Sequence, residues 1–317
     1  MGRVLKKEDY KKFLQLLKSK AELVAPITTD MTRFEVVEDI DDINLEGGNP
    51  FFPIKKYFLP NKETLLKIKN GNTKVIEKKP KKRIIFGARL CDINGIAILD
   101  KLFLDHKYPD ENYKKKRENT IIIGVNCLTS PSEYCFCGSM DLKKEAYDLL
   151  LHEREKDYYI DVHTDYGAML VKHLPEDRFD YPLPKTEKKL DKKNLWPFFA
   201  DKYWEKDNDL CVSCQRCTIL CPTCFCFDMY DRVNPKTGDG ERLRKIDSCH
   251  SKDFTEVAGG HVFRDTRLKR YRHRVLHKVQ FFEDKFDRSM CTGCGRCIEY
   301  CHSKIDFVTT INKFIEH

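Results

Sequence analysis

The sequence lacks the features that would place it in or through a membrane. No apolar stretch approaches the roughly 18 residues of a membrane span, and Met1 to Lys20 is charged, without the apolar core of a signal peptide. Both absences predict a cytoplasmic protein with no membrane partner. A phosphate- or flavin-binding glycine loop is also missing. Gly259-Gly260-His261 is too short for a dinucleotide fingerprint and follows no buried strand, so no flavin is expected in this chain. There is no Ser/His/Asp or metal-hydrolase constellation, and His250, His261, His273 and His277 read as surface or packing residues. Helix-turn-helix, RNP-like and zinc-finger patterns are absent too. The net charge of +8 therefore reads as lysine bias offset by 50 Asp and Glu, and no nucleic-acid partner is expected.

What the chain has in excess is cysteine, 15 in 317 residues. An odd number, grouped at metal-ligand spacings and without an export signal, argues against disulfides and for metal binding in a reducing compartment. Cys211-Val-Ser-Cys214-Gln-Arg-Cys217-Thr-Ile-Leu-Cys221-Pro222 and Cys291-Thr-Gly-Cys294-Gly-Arg-Cys297-Ile-Glu-Tyr-Cys301 both read C-x2-C-x2-C-x3-C. That is the ligand spacing of ferredoxins with two [4Fe–4S] clusters, in which the fourth cysteine of each run reaches the other cluster. By this rule Cys211, Cys214, Cys217 and Cys301 hold one cluster, and Cys291, Cys294, Cys297 and Cys221 hold the other. Zinc knuckles pair C-x2-C units across a longer gap and lack the third and fourth cysteines at these positions. Such clusters are damaged by oxygen, so an anaerobic setting is expected. Arg216 and Arg296 each precede the third cysteine of a motif, where their charge is expected to raise a nearby cluster's potential.

The length suggests two domains. Residues 5–20 have the periodicity of a short amphipathic helix. Arg83 to Gly87 and Thr120 to Val125 read as buried strands, with a helix over Ile93 to Phe103 between them, as in a βαβ crossover. Tyr147 to Leu151 and Tyr158 to Val162 suit antiparallel strands. The polar, unperiodic stretch from Pro175 to Lys193 is the expected linker. The expected fold is α+β: an α/β domain over residues 1–185, then a mostly helical ferredoxin-like domain over residues 195–317.

Four more cysteines fall in the first domain. Cys91 follows the first buried strand and Cys127 the second, so parallel neighbours would bring both to one carboxyl edge, where open α/β sheets bind ligands. Cys135-Phe-Cys137 lies in the next loop and completes a four-thiolate set. A third [4Fe–4S] site is expected there, with zinc or unligated core cysteines as rivals. Cys224, Cys226 and Cys249 are left over. They read equally as a tentative further metal site, a fourth cluster, or as cysteines packed beside the other clusters.

Arg83-Ile-Ile-Phe-Gly-Ala-Arg-Leu-Cys-Asp-Ile-Asn-Gly-Ile-Ala-Ile-Leu-Asp100 resembles a signature of archaeal sulfhydrogenase beta subunits and of the related A subunit of anaerobic sulfite reductase. Ile121 to Cys127, Cys135-Phe-Cys137, Cys221-Pro-Thr-Cys-Phe-Cys226, Asp247-Ser-Cys249, Val257 to His261 and Phe263 to Thr266 fit the same pattern. His302 stands where the pattern usually has Pro, and the region around 165–205 is shorter than in sulfhydrogenase beta subunits. The resemblance implies a non-catalytic electron-transfer subunit of an oxidoreductase complex. It would stand between a flavin-containing subunit that handles NAD(P)H or another donor and a catalytic subunit, either hydrogenase or sulfite reductase. The alternative is that this chain is itself catalytic, through an atypical cluster at Cys224, Cys226 and Cys249.

Overall fold

The computed structural model describes residues 2–76, 79–105 and 107–314. Twelve strands follow in chain order. The first six are β1 (Gly2–Lys6), β2 (Glu22–Thr28), β3 (Thr32–Val36), β4 (Lys62–Lys69), β5 (Asn72–Val75) and β6 (Arg83–Ala88). The rest are β7 (Thr120–Val125), β8 (Leu149–Glu153), β9 (Asp157–Val162), β10 (Glu176–Asp177), β11 (Phe227–Val233) and β12 (Gly240–Ile246).

Eight of them form one sheet, in the order β10-β1-β9-β8-β7-β6-β2-β3. Its centre, β2, β6, β7 and β8, is parallel, and antiparallel strands flank it on both sides. Buried parallel strands need cover on both faces, and the alternation along β6 and β7 supplies two apolar faces. Ile84, Phe86 and Ile123 face a core built with Phe13, Leu14 and Leu17 of helix α1 (Tyr10–Lys20). Ile85 and Ile122 face the other core, shared with Ile93, Ile96 and Leu99 of helix α2 (Leu90–Phe103). The expected β6–helix–β7 crossover and the antiparallel pair β8–β9 are therefore present. The first helix begins later than its periodicity suggests. Leu5 belongs to β1, where pairing with β9 wins over the helical pattern.

The second half has more helix than strand, but it is not helical throughout. Strands β11 and β12 form a hairpin that joins β4 and β5 in a four-stranded antiparallel sheet of order β11-β12-β4-β5. β11 is exposed or half-buried throughout and β12 buries only Leu243 and Arg244, so the ribbon carries little apolar signal. What anchors it is ionic: Arg244 on β12 is buried against Glu63 of β4 and Asp110, and Lys116 reaches Glu63 at 2.9 Å. The core on the α2 side continues without a break into Trp204, Val275, Ile298 and Phe307 of the second half. The stretch expected as a linker is tied to both halves, by Tyr181 to Asp161 at 2.8 Å and by the Asp191 amide to Asn312 at 3.0 Å. Among the described residues, no helix is long and apolar enough to cross a membrane.

Candidate metal centres

The first cysteine run is a loop entering a one-turn helix (Arg216–Ile219). Cys211, Cys214 and Cys217 line one cavity together with Cys301 from the second run. Cys214 is exposed. Burial pushes the Cys217 thiol up to about 12. The same cavity is lined by Cys297, His250 and Arg274.

The second run repeats this local geometry. Cys291, Cys294 and Cys297 lie close enough to Cys221 of the first run for each to feel its charge. The backbone turns left-handed at matching places in the two loops, at Ser213 and Gln215 in the first and Gly293 and Gly295 in the second. Only the second loop needs glycine there. A Cβ on Gly293 would stand 2.5 Å from the backbone of Cys137, and one on Gly295 2.6 Å from that of Tyr134. The first loop meets no such neighbour and tolerates side chains at a modest strain.

The neighbour pressed against Gly293 is the third cysteine group. Cys91 sits in the first turn of α2, directly after β6, and Cys127 follows β7, so the parallel pairing delivers both to one edge. Cys91, Cys127, Cys135 and Cys137 line one cavity, with Cys294 of the second run in its wall. The Phe136 amide donates to the Gly293 carbonyl at 2.8 Å and locks the two loops together. Asn49 donates to Cys135 Sγ at 3.3 Å and to the Cys294 carbonyl at 3.1 Å, and Arg89 Nη1 donates to Cys127 Sγ at 3.4 Å. Burial drives the Cys91 thiol well above its usual range and that of Cys137 up to about 12.

Cys224, Cys226 and Cys249 line none of these cavities. Cys224 hydrogen-bonds Cys221, and Cys226 pairs with Cys249. Lys55 and Lys278 are buried beside them. Lys55 Nζ donates to the carbonyls of Thr218 and Cys224 at 3.3 and 2.9 Å, and Lys278 Nζ donates to Thr223 Oγ1 at 2.8 Å. Arg274, also buried, donates to the Cys217 carbonyl at 3.2 Å and faces Cys297. Among the described residues none of these three cations pairs with a carboxylate. Sequence reasoning missed all three, and Asn49 and Arg89 as well. Arg89 alone carried a signal, two positions before Cys91.

The residues present fit iron–sulfur clusters. Buried cations without carboxylates require other negative charge nearby, and four-thiolate clusters carry it. Each group also has buried polar atoms with no partner in the protein: Ser213 Oγ and both His250 nitrogens at the first, Thr292 Oγ1 at the second, Asn49 Oδ1 at the third. A single zinc ion needs its ligands within about 2.3 Å of one point. Among the described residues, no three His, Cys, Asp or Glu side chains are arranged to hold one ion; the thiols of the first and third groups surround cavities instead.

Fold and cysteine geometry together define an iron–sulfur protein, and a 4Fe-4S dicluster domain model matches residues 210–305. Along 98% of its length, and 98% of the relative's, the chain is 34% identical to Sulfhydrogenase 2 subunit beta of Pyrococcus furiosus. It belongs to the sulfhydrogenase beta-subunit family. No solved structure matches it.

Proposed function

We propose that the chain is the electron-relay subunit of a hydrogenase-type complex and carries three [4Fe–4S] clusters in a row. Cys211, Cys214, Cys217 and Cys301 hold the first, Cys291, Cys294, Cys297 and Cys221 the second, and Cys91, Cys127, Cys135 and Cys137 the third. The observation that carries this reading is the sharing of walls between cysteine groups. Cys297 of the second set lines the first cavity, and Cys294 lines the third. The sets therefore form a line with the second in the middle.

Such clusters, when bound, exchange single electrons. The chain's own residues bury them and balance their charge. Arg274 stands between the first and second sets, Lys55 and Lys278 beside Cys221 and Cys224, and Asn49 and Arg89 donate to sulfur at the third. The first set, with Cys214 at the surface, is the end at which a partner can approach. The relative's name is that of one subunit of a sulfhydrogenase, which supports the presence of partner subunits; in our reading one of them is catalytic and another is a flavin-containing donor.

The test is purification of the native complex without oxygen, with identification of its chains and an iron count. About twelve irons per chain support three clusters. A count near eight removes the third site, and one near sixteen places a cluster at Cys224, Cys226 and Cys249. Absence of a hydrogenase-type catalytic chain overturns the assignment to such a complex.

A further inference from the structure

His250 is 3% exposed, and neither of its ring nitrogens has a hydrogen-bond partner in the protein. Leaving a buried donor unsatisfied is costly, so the position of this ring needs a reason. Its backbone is fixed: the His250 amide donates to Ser248 Oγ at 3.1 Å, and Ser248 Oγ meets Thr218 Oγ1 of the first cysteine run at 2.8 Å. The ring is thereby held in the wall of the cavity that Cys211, Cys214, Cys217 and Cys301 surround. Tyr271, the other ring nearby, is tilted with its centroid 6.4 Å away, and its hydroxyl is committed to Asp207. Arg270, Arg274 and His273 are the titratable neighbours. The two guanidinium groups are donors only, and His273 makes no hydrogen bond to either ring nitrogen of His250.

A buried N–H with donors on the protein side and a thiolate-lined cavity on the other has one class of acceptor available, which is sulfur. We propose that His250 is a hydrogen-bond donor to the sulfur of the first cluster and sets that cluster's reduction potential above the value it would otherwise have. The inference rests on the cluster assignment of the previous section. Its physical basis is that a reduced cluster carries one more negative charge, so a donor to its sulfur stabilises the reduced form more than the oxidised form. The neutral ring gives one N–H and one acceptor nitrogen. His250 is a positioning and tuning residue here, not a ligand.

The full chain, purified without oxygen, is compared with His250→Phe, which keeps the ring shape but removes the donor, and His250→Gln, which restores one. The readouts are iron content, redox titration followed by electron paramagnetic resonance, and exchangeable-proton couplings of the reduced clusters in D2O. The expected result is unchanged iron in all three proteins. In His250→Phe one cluster shifts to a more negative potential and loses one exchangeable-proton coupling, and His250→Gln recovers both in large part. Unchanged potentials and couplings in His250→Phe overturn the proposal, as does a His250→Gln protein that behaves like His250→Phe. Loss of about four irons in His250→Phe overturns it in favour of a ligand role. A wild-type chain that lacks the first cluster fails the cluster assignment itself, which the iron count and the missing signal identify separately.

Discussion

Arg296 and Asp92 form a two-pronged ion pair that solvent does not reach: contacts of 2.6 and 2.8 Å join side chains that are both fully buried. Arg296 Nε also donates to the Pro50 carbonyl at 2.7 Å. The pair ties the second cysteine run to the first turn of α2, one residue from Cys91 and two from Cys294. Arg296 was expected to raise a cluster's potential by its charge, but the carboxylate at contact distance cancels most of that charge. Arg216, the matching residue of the first run, is exposed, where water screens it. The shared position in the motif therefore hides two different roles.

Asp92→Asn should separate those roles. Breaking one side of a buried pair costs about 3–5 kcal/mol, read as a lower denaturant midpoint. The unmasked guanidinium should also move a cluster near Cys91 or Cys294 to a more positive potential in a redox titration. Normal stability with unchanged potentials would show that the pair neither holds the halves together nor screens a charge.

The cysteine spacing made the candidate centres legible because cluster ligation is local. Three thiols on one loop and a fourth at x3 need little tertiary information, and the structure places Cys301 at the cavity of the first run and Cys221 beside the second run. The third group was legible for a different reason: two apolar runs at crossover distance place their next cysteines at one sheet edge. The hairpin of β11 and β12 was not legible. Its strands are held by Arg244 to Glu63 and Asp110, partners 181 and 134 residues away, and no local periodicity records such contacts. For the same reason nothing in the sequence set the buried Lys55, Lys278 and Arg274 apart from the chain's other cations.

Exchange of the fourth ligand between runs is directly testable. Cys301→Ser should alter the spectrum of the same cluster as Cys214→Ser, and Cys221→Ser that of the same cluster as Cys294→Ser, in anaerobic paramagnetic resonance. If Cys301→Ser instead reproduces the change caused by Cys294→Ser, each run ligates its own cluster and the crossing is wrong.

The two loops should respond differently to substitution at the matched positions Gly295 and Gln215. Gly295→Ala combines a left-handed backbone with a Cβ 2.6 Å from the backbone of Tyr134 in the third cysteine group's loop, and should destabilise by about 2 kcal/mol or more. Gln215→Gly relieves strain while adding chain entropy to the unfolded state, so it should stay within about 1 kcal/mol of wild type. Equal effects in chemical denaturation would mean that contact between the second and third loops contributes nothing.

Acid should weaken the α/β half through His152 on β8. Its side chain is buried, and burial, followed by the charges of Arg154 and Lys144, lowers its affinity for a proton. Asn126 explains why protonation also breaks a bond. Its amide nitrogen donates to the Pro182 carbonyl at 2.9 Å and to His152 Nδ1 at 3.0 Å, so Nδ1 must be the acceptor. The folded state thus binds the proton less readily than the unfolded chain, whose histidine titrates near 6.5. The unfolded state then holds the extra proton below that pH, and stability falls as pH drops from about 6.5 towards the lowered folded value, by at most about 1.4 kcal/mol per pH unit. His152→Gln, which has no proton to gain, should show a shallower loss of urea midpoint between about pH 6.5 and 5 than wild type. Parallel curves for the two proteins would mean that His152 is already charged in the fold, and that the Asn126 contact is not what holds it.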